Sequence, residues 1–491
     1  TATKPISALA GNEVGAPGGN GYYVSQEIFN TGADKVRVKQ RAQFVEDNWQ
    51  VTDRVLLSIG VRNDQFTNYN PDAQPYIRLT KPNLSPRLGA SWDVLGDSSL
   101  KVYANAGRYY LDEPNNVAIR GAAGSTFTNQ YFTYDSIDPA TGAPVGLHQI
   151  TQGRYPGVSA NNEFGAAPNP KTVTSKNVQA EFQDEYIAGL DKAFDMMGDR
   201  WTAGTKFTYR KLRNDLDDVC DSATFEAVGA SQGFDPDLAQ GSGCYIMNPG
   251  KTQKFNVSNG DGTFGTMTVP WSAFGMPDLK RKYVALDSYL EHPFDGKWYG
   301  RIDYTLAHSF GNTEGSVRSD IGQTDVAQTE DWDNAGVMVN ANGDQANDRR
   351  HQIKLTGYWQ ITPEWLVGGN AQILSGTPKV CQSFFGPDQT DPYGYMDAYH
   401  FCGPDGRPAA PGKVGRTPWQ EIVSVNAQYR PAFADHKLGF SILVYNLLNQ
   451  QRTTQFTTTS VSGAGQLSAD YQLPISYETP RFVQFSVSYD F

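Results

Sequence analysis

No stretch of this 491-residue sequence approaches the roughly 18 uninterrupted apolar residues that a membrane-crossing helix needs, which excludes a helical membrane protein. Positive charge is in deficit. The 41 Lys and Arg against 52 Asp and Glu leave a net charge of -11, and a chain without a net cationic face is a poor partner for nucleic acid. Histidine is scarce, with six scattered residues and no His-Glu-x-x-His word, and no Gly-x-Ser-x-Gly elbow occurs either. Residues 248–252, NPGKT, end like a phosphate loop, but Tyr245 stands outside the glycine pattern such a loop requires, so the word reads as a turn. The sequence opens on Thr1 with no basic-then-apolar leader, which reads as a cut start. Only four cysteines are present, Cys220 with Cys244 and Cys381 with Cys402, each pair inside one stretch rich in Gly, Pro, Asp and Ser. Without a Cys-x-x-Cys or His cluster beside them, they predict two local disulfides formed in an oxidising compartment.

Against these absences stand 26 Tyr, 25 Phe and 49 Gly, a β-rich composition with many turns. Alternation recurs along the chain. Val55, Leu57, Ile59 and Val61 oppose Ser58, Gly60, Arg62 and Asp64, and Trp201, Ala203, Phe207 and Tyr209 oppose Thr202, Gly204, Lys206, Thr208 and Arg210. Trp298, Ile302, Tyr304 and Leu306 oppose Arg301, Asp303 and Thr305, and Val423, Val425, Ala427 and Tyr429 oppose Ser424, Asn426, Gln428 and Arg430. These are half-buried strands of period two.

The connections take turns. Short ones fall at 51–53, 96–99, 197–199, 295–297, 362–364 and 432–435, and long ones run over roughly 111–177, 214–279, 312–348, 377–416 and 450–479. Sorting loops by length onto two sides is the habit of an outer-membrane barrel, with tight periplasmic turns and large extracellular loops. The fold class read from this is all-β: a transmembrane antiparallel β-barrel spanning 1–491, about 14 strands including a first hairpin near 22–44, and no nucleic-acid partner. A mean hydropathy of -0.51 fits, because the inner face of such a barrel is polar and only the outer face must be apolar. Trp49, Trp201, Trp298, Trp365, Tyr109, Tyr110 and Phe491 gather at strand ends, as interfacial rings do. The last word, RFVQFSVSYDF, is then a strand descending to the periplasmic rim with Val483, Phe485, Val487, Tyr489 and Phe491 toward lipid and lipopolysaccharide. As in outer-membrane proteins generally, Val487, Tyr489 and Phe491 are expected to serve as the signal read by the barrel-assembly machinery.

Several words resemble those of a known family, the TonB-dependent receptors, and most closely its Oar-like branch: SPRLGASWDV at 85–94, KVYANAGRYY at 101–110, NNEFG at 161–165, QDEYIAGLDKAF at 183–194, NDRRHQIKL at 347–355, YNLLN at 445–449 and TPRFVQFSVSYDF at 479–491. The resemblance implies a Gram-negative outer membrane, a barrel of 22 strands and an N-terminal plug driven by the TonB complex. It also implies, in Oar-like members, a small leading β-sandwich. No plug and no TonB box is visible in these residues, so the expectation is that the remaining strands and plug lie upstream or on a second chain that completes the barrel.

The resulting expectations for sites are modest. Lumen-lining residues are Arg62, Lys206, Arg210, Arg301, Asp303 and Arg430, with Asp64 and Asp303 salt-bridged to Arg62 and Arg301. His351, beside Arg349 and Arg350, reads as a rim residue facing water, and 259–263, NGDGT, as a hairpin tip. Exposed aromatics on the long loops, Tyr131, Phe132 and Tyr134, and Phe384, Phe385, Tyr393, Tyr395 and Tyr399 inside the Cys381 to Cys402 interval, are candidates for binding peptide or carbohydrate, or else pack on one another. Asn340, Asn342 and Asp344 space oxygen ligands as calcium loops do, but without the closing Glu an ordinary Asx turn is the favoured reading; no metal, no cofactor and no catalytic residue is expected. The function read from all this is uptake of a peptide, protein or other large solute across the outer membrane, by a protein that is not an enzyme. The alternative is a structural or adhesive surface protein whose loops bind a matrix or partner protein; a third, an outer-membrane hydrolase, lacks its nucleophile.

Overall fold

The computed structural model describes residues 23–31, 36–111, 125–140, 143–149, 168–241, 243–315, 331–395 and 397–491. The NNEFG word at 161–165 lies outside them, as does the side chain of Tyr131. Thirteen strands run in one meander: β1 (Arg37–Thr52), β2 (Val55–Tyr69), β3 (Leu84–Asp93), β4 (Leu100–Tyr110), β5 (Phe182–Met196), β6 (Asp199–Asn214), β7 (Arg281–His292), β8 (Trp298–Gly311), β9 (His351–Gln360), β10 (Trp365–Leu374), β11 (Gln420–Tyr429), β12 (Leu438–Tyr445) and β13 (Phe482–Tyr489). Each pairs antiparallel with its sequence neighbour. Two short strands, Pro75–Leu79 and Gly343–Asp344, add to β2 and β8 from the long-loop side.

The short and long connections alternate without exception along this wall, as the spacing predicts. The tight turns have the chemistry they need. Between β5 and β6, Met197 and Gly198 both take positive φ, 58° and 89°, the pair of left-handed residues that matches strand twist in a two-residue hairpin. Between β3 and β4, Asp93 accepts from the amides of Gly96 and Ser98, at 3.0 and 2.9 Å.

Register sets the two faces. Phe207 lies opposite Ala188 and Leu286, and Leu286 opposite Leu306, a row of exposed apolar side chains. One residue along, Lys206 lies opposite Asp287 and Asp287 opposite Thr305, joined by a 3.5 Å ion pair and a 2.6 Å hydrogen bond. Because side-chain period is two, a slip of one residue would exchange these rows. Phe485, 75% exposed, belongs to the apolar face and Gln484 to the polar one. Phe485→Arg is therefore expected to cost about 2–4 kcal/mol in the bilayer and to deplete assembled protein severalfold, whereas Gln484→Arg is tolerated. Heat-modifiable gel mobility of outer-membrane fractions is the check.

One strand goes elsewhere. The expected first hairpin near 22–44 does not form: Tyr23–Thr31 pairs with Ser125–Ile137, which also pairs with Pro144–Gln149, in a separate three-stranded sheet. A partner about a hundred residues away leaves no local turn signature. β1 and β13 each have one strand neighbour among the described residues.

Candidate functional site

Above the wall the long loops share a core of their own. Phe225, Tyr245, Phe255, Met267 and Trp271 of the loop after β6, Trp332 and Met338 of the loop after β8, and Tyr399 and Phe401 of the loop after β10 pack in one buried cluster. The first of these loops folds because it carries regular structure: a helix Ser222–Ser231 capped by Asp221, whose Oδ1 accepts from the Thr224 amide at 3.1 Å, and a hairpin of Gln253–Ser258 with Phe264–Val269. NGDGT at 259–263 is the tip of that hairpin, with Gly260 and Gly262 at positive φ. NPGKT at 248–252 is a turn with Gly250 at φ 84°.

Disulfides Cys220–Cys244 and Cys381–Cys402 both close within this cap, spanning 24 and 21 residues. Loops of that length contribute about 3 kcal/mol each by restricting the unfolded chain. A Cys381→Ser, Cys402→Ser double variant is expected to become protease-sensitive between β10 and β11 while the wall keeps its heat-modifiable mobility. Equal protease resistance would show that the shared core holds this loop without its staple.

The cap changes the meaning of the loop aromatics. Tyr399 is not exposed: it is buried, its hydroxyl donates to Asp391 Oδ1 at 2.7 Å, and its ring meets Phe385. Phe385 also packs on Phe401, and the Tyr395 hydroxyl donates to Asp333 at 2.6 Å. These side chains are spent on folding the loop, because a stapled loop this rich in rings buries them against each other before a ligand arrives. Tyr393 is exposed, Phe384 is half-buried, and Phe132 and Tyr134 sit half-buried in the separate three-stranded sheet.

Two of the residues spaced as in a calcium loop, Asn340 and Asp344, are engaged by protein groups. Asp344 already meets three cationic or ionisable groups, Arg350 at 2.9 Å, Arg416 at 2.6 Å and His308 at 3.0 Å, while Asn340 donates to the His400 carbonyl. Burial disfavours the Asp344 carboxylate, yet His308, Arg350 and Arg416 hold it below the usual range. Asp348 completes the knot, accepting from Arg350 at 3.2 Å, Arg416 at 2.6 Å and the Ser309 amide at 2.5 Å. This latch ties the end of β8, the start of β9 and the strand-entry segment before β11. Its residues come from the NDRRH word at 347–351 together with His308, Asp344 and Arg416, and no spacing in the sequence joins them.

Arg62, Lys206, Arg210, Arg301 and Asp303 fall on the polar face by register, and Arg430 directly follows β11. Arg62 donates to Asp64 at 2.8 Å and Arg301 to Asp303 at 2.7 Å; Arg210 pairs with Glu185, and Arg430 with Asp490 at the short-turn rim. His351 does not face water alone: its Nδ1 lies 2.9 Å from the Tyr304 hydroxyl and its ring stacks on Trp419.

Where cap meets polar face, two clefts open. One, of about 310 Å³, is lined by Arg210, Arg281, Tyr283, Asp348, Arg349 and Gln352; the other, of about 280 Å³, by Arg349, Thr377, Lys379, Thr417, Phe456 and Gln472. Arg349 lines both. Its two terminal nitrogens donate to neutral acceptors, the Ser375 carbonyl and Gln420 Oε1, both at 2.7 Å. Lys379 lies 4.0 Å over the Phe456 ring and 3.3 Å from Gln472 Oε1. Among the described residues neither forms an ion pair, and burial pushes both pKa values down, the mark of cations held partly out of water. A larger apolar groove, of about 910 Å³ and lined by Trp298, Trp359, Val367 and Ile442, lies on the apolar face. Sequence reading passed over Arg349 and Lys379, since a cation is recognised as unpaired only once its neighbours are known.

Residues 7–447 match the family model described as TonB dependent receptor-like, beta-barrel. The chain is 22% identical over 502 aligned positions to the TonB-dependent transporter Oar of Myxococcus xanthus, covering 91% of this chain and 42% of that protein. It is also similar to the crystal structure of the outer membrane transporter YddB from Escherichia coli, with a TM-score of 0.52, 13% identity, and coverage of 92% of this chain and 45% of that one. The chain thus spans less than half the length of these relatives.

Proposed function

Starting from the fact that this chain belongs to the TonB-dependent receptor-like β-barrel family of the Gram-negative outer membrane, we propose that it forms the wall and outer cap of a transporter for a peptide, protein or other large solute. The 1–491 span is taken as one barrel domain, its wall the thirteen-stranded meander and its long loops the cap. A wall whose edge strands β1 and β13 each have one neighbour among the described residues needs further strands to close it, and a plug to couple it to TonB. The barrel-assembly machinery inserts it, reading Val487, Tyr489 and Phe491.

The observation that carries this reading is the paired clefts under a prefolded cap. Arg349 and Lys379 present positive charge toward the polar face with no ion-pair contact among the described residues, Glu478 acting on Arg349 only from a distance. Such groups suit an anionic part of a solute, a carboxylate above all. Arg62, Lys206, Arg210, Arg301, Asp303 and Arg430 then line its route. The alternative of a purely adhesive surface protein needs no inward-facing cations.

The test compares culture media by mass spectrometry. Solutes left unimported by a strain lacking this protein are expected among those left by a strain lacking TonB, and the wild-type gene restores uptake where Lys379→Glu with Arg349→Gln does not. Loss of surface attachment with no shared unimported solute would refute transport.

A further inference from the structure

We propose that the short-turn rim carries a binding site for a divalent first-row transition metal, of which zinc is the model, formed by His292, Asp199 and Asp295. His292 ends β7, Asp199 opens β6, and Asp295 lies in the turn between β7 and β8. The sequence shows none of this, because the three residues belong to two separate turns that only the β6–β7 pairing brings together.

The imidazole is fixed before any ion arrives. It is 1% exposed, lies parallel to the Trp298 ring with centroids 3.8 Å apart and 9° between planes, and meets Trp201 edge-on at 5.0 Å. Held this way, neither ring nitrogen has a hydrogen-bond partner among the described residues. A buried polar group left unmatched is costly and calls for an explanation. Nε2 lies 3.7 Å from Asp199 Oδ2, beyond hydrogen-bond reach. Two ligand atoms each about 2.0–2.1 Å from one ion, at an angle near 120°, stand about that far apart.

Asp295 supplies the third ligand. Its Oδ1 is committed, accepting from the Lys297 and Trp298 amides at 2.7 and 2.8 Å, and those bonds orient the carboxylate. Ligand atoms of the three residues lie within 4.8 Å of one another. Both carboxylates are exposed, so an ion can enter from the aqueous side and complete its shell with water. Arg200, the nearest cation on β6, is turned to Asp195 at 3.6 Å and does not occupy the site. A neutral imidazole with two carboxylates offers a charge of −2. The nitrogen ligand favours zinc-like ions over magnesium or calcium. Once bound, the ion would staple the β5–β6 turn to the β7–β8 turn.

The experiment is a cobalt(II) titration of the detergent-extracted, native-length protein, read by visible absorption and by quenching of tryptophan fluorescence, with zinc as competitor. One cobalt per chain is expected to give both signals and to be displaced by zinc. His292→Phe keeps a stacked ring and should abolish them. Asp199→Asn with Asp295→Asn keeps the amide-accepting oxygen and the ring stack, and should weaken binding by more than about 10-fold. If His292→Phe fails to assemble, the double variant decides. Absence of saturable binding, or binding unchanged in the double variant, overturns the site.

Discussion

Phe225→Ala is expected to unfold the cap while leaving the wall standing. The ring is fully buried, with centroids 4.4 Å from Tyr245, 5.4 Å from Phe255 and 5.3 Å from Phe274, and with Val228 it anchors the Ser222–Ser231 helix in the core shared by three loops. Truncating such a ring costs about 3–5 kcal/mol, from lost transfer energy and the cavity left behind. That is a large share of what a loop assembly of this size has to spare. Limited proteolysis should cut within 214–281 in the variant, and heat-modifiable mobility should persist. Phe433→Ala, in an exposed short turn, is the control and should change stability by less than about 0.5 kcal/mol. Loss of the wall together with the cap would show the two to be one cooperative unit.

Asp348→Asn should also be damaging, through a different mechanism. Asp348 has no exposed side-chain surface, and two guanidiniums and a backbone amide converge on it. Neutralising it leaves Arg350 and Arg416 facing each other with Asp344 as their one remaining acid in the latch. Breaking one side of a fully buried pair costs about 3–5 kcal/mol; here Arg350 and Arg416 are 31% and 25% exposed and keep Asp344, so a smaller loss, about 2 kcal/mol, is expected. A double-mutant cycle with Arg416→Gln checks this: coupling near zero would mean the two residues act separately. Acid should loosen the same latch. The Asp344 carboxyl is held below its ordinary value in the folded state, so its contribution is present above the unfolded pKa near 3.9 and fades as pH falls toward the lower folded value. Protection of the cap from proteolysis should therefore decline below about pH 4.

How much of this was legible beforehand depends on the range of the interaction concerned. Strand faces were legible wherever period two was clean: Val55 to Asp64 and Trp201 to Arg210 have the faces their alternation predicts, and the pairs Arg62–Asp64 and Arg301–Asp303 follow, since i and i+2 on a strand share a face. The disulfides were legible because, of the three connectivities four cysteines allow, only one keeps each bridge within a single loop. Which of the open readings holds for Tyr399 and Asp344 was not legible, for one reason. An aromatic or a carboxylate in a loop looks available until its partners are known, and here these include Asp391 and Phe385 for the first and Arg350, Arg416 and His308 for the second.

The amino-acid order by itself thus determined the all-β class, the sorting of short turns from long loops, the polar and apolar faces and the cysteine pairing. All of these rest on contacts within one strand, one hairpin or one loop. Tertiary structure alone decided that Tyr23–Thr31 joins a distant hairpin, that three loops share a core, that Arg349 and Lys379 form no ion pair among the described residues, and that His292 meets Asp199 and Asp295. Those outcomes depend on how far the wall curls and how the loops fold back over it, and neither leaves a period or a spacing in the chain.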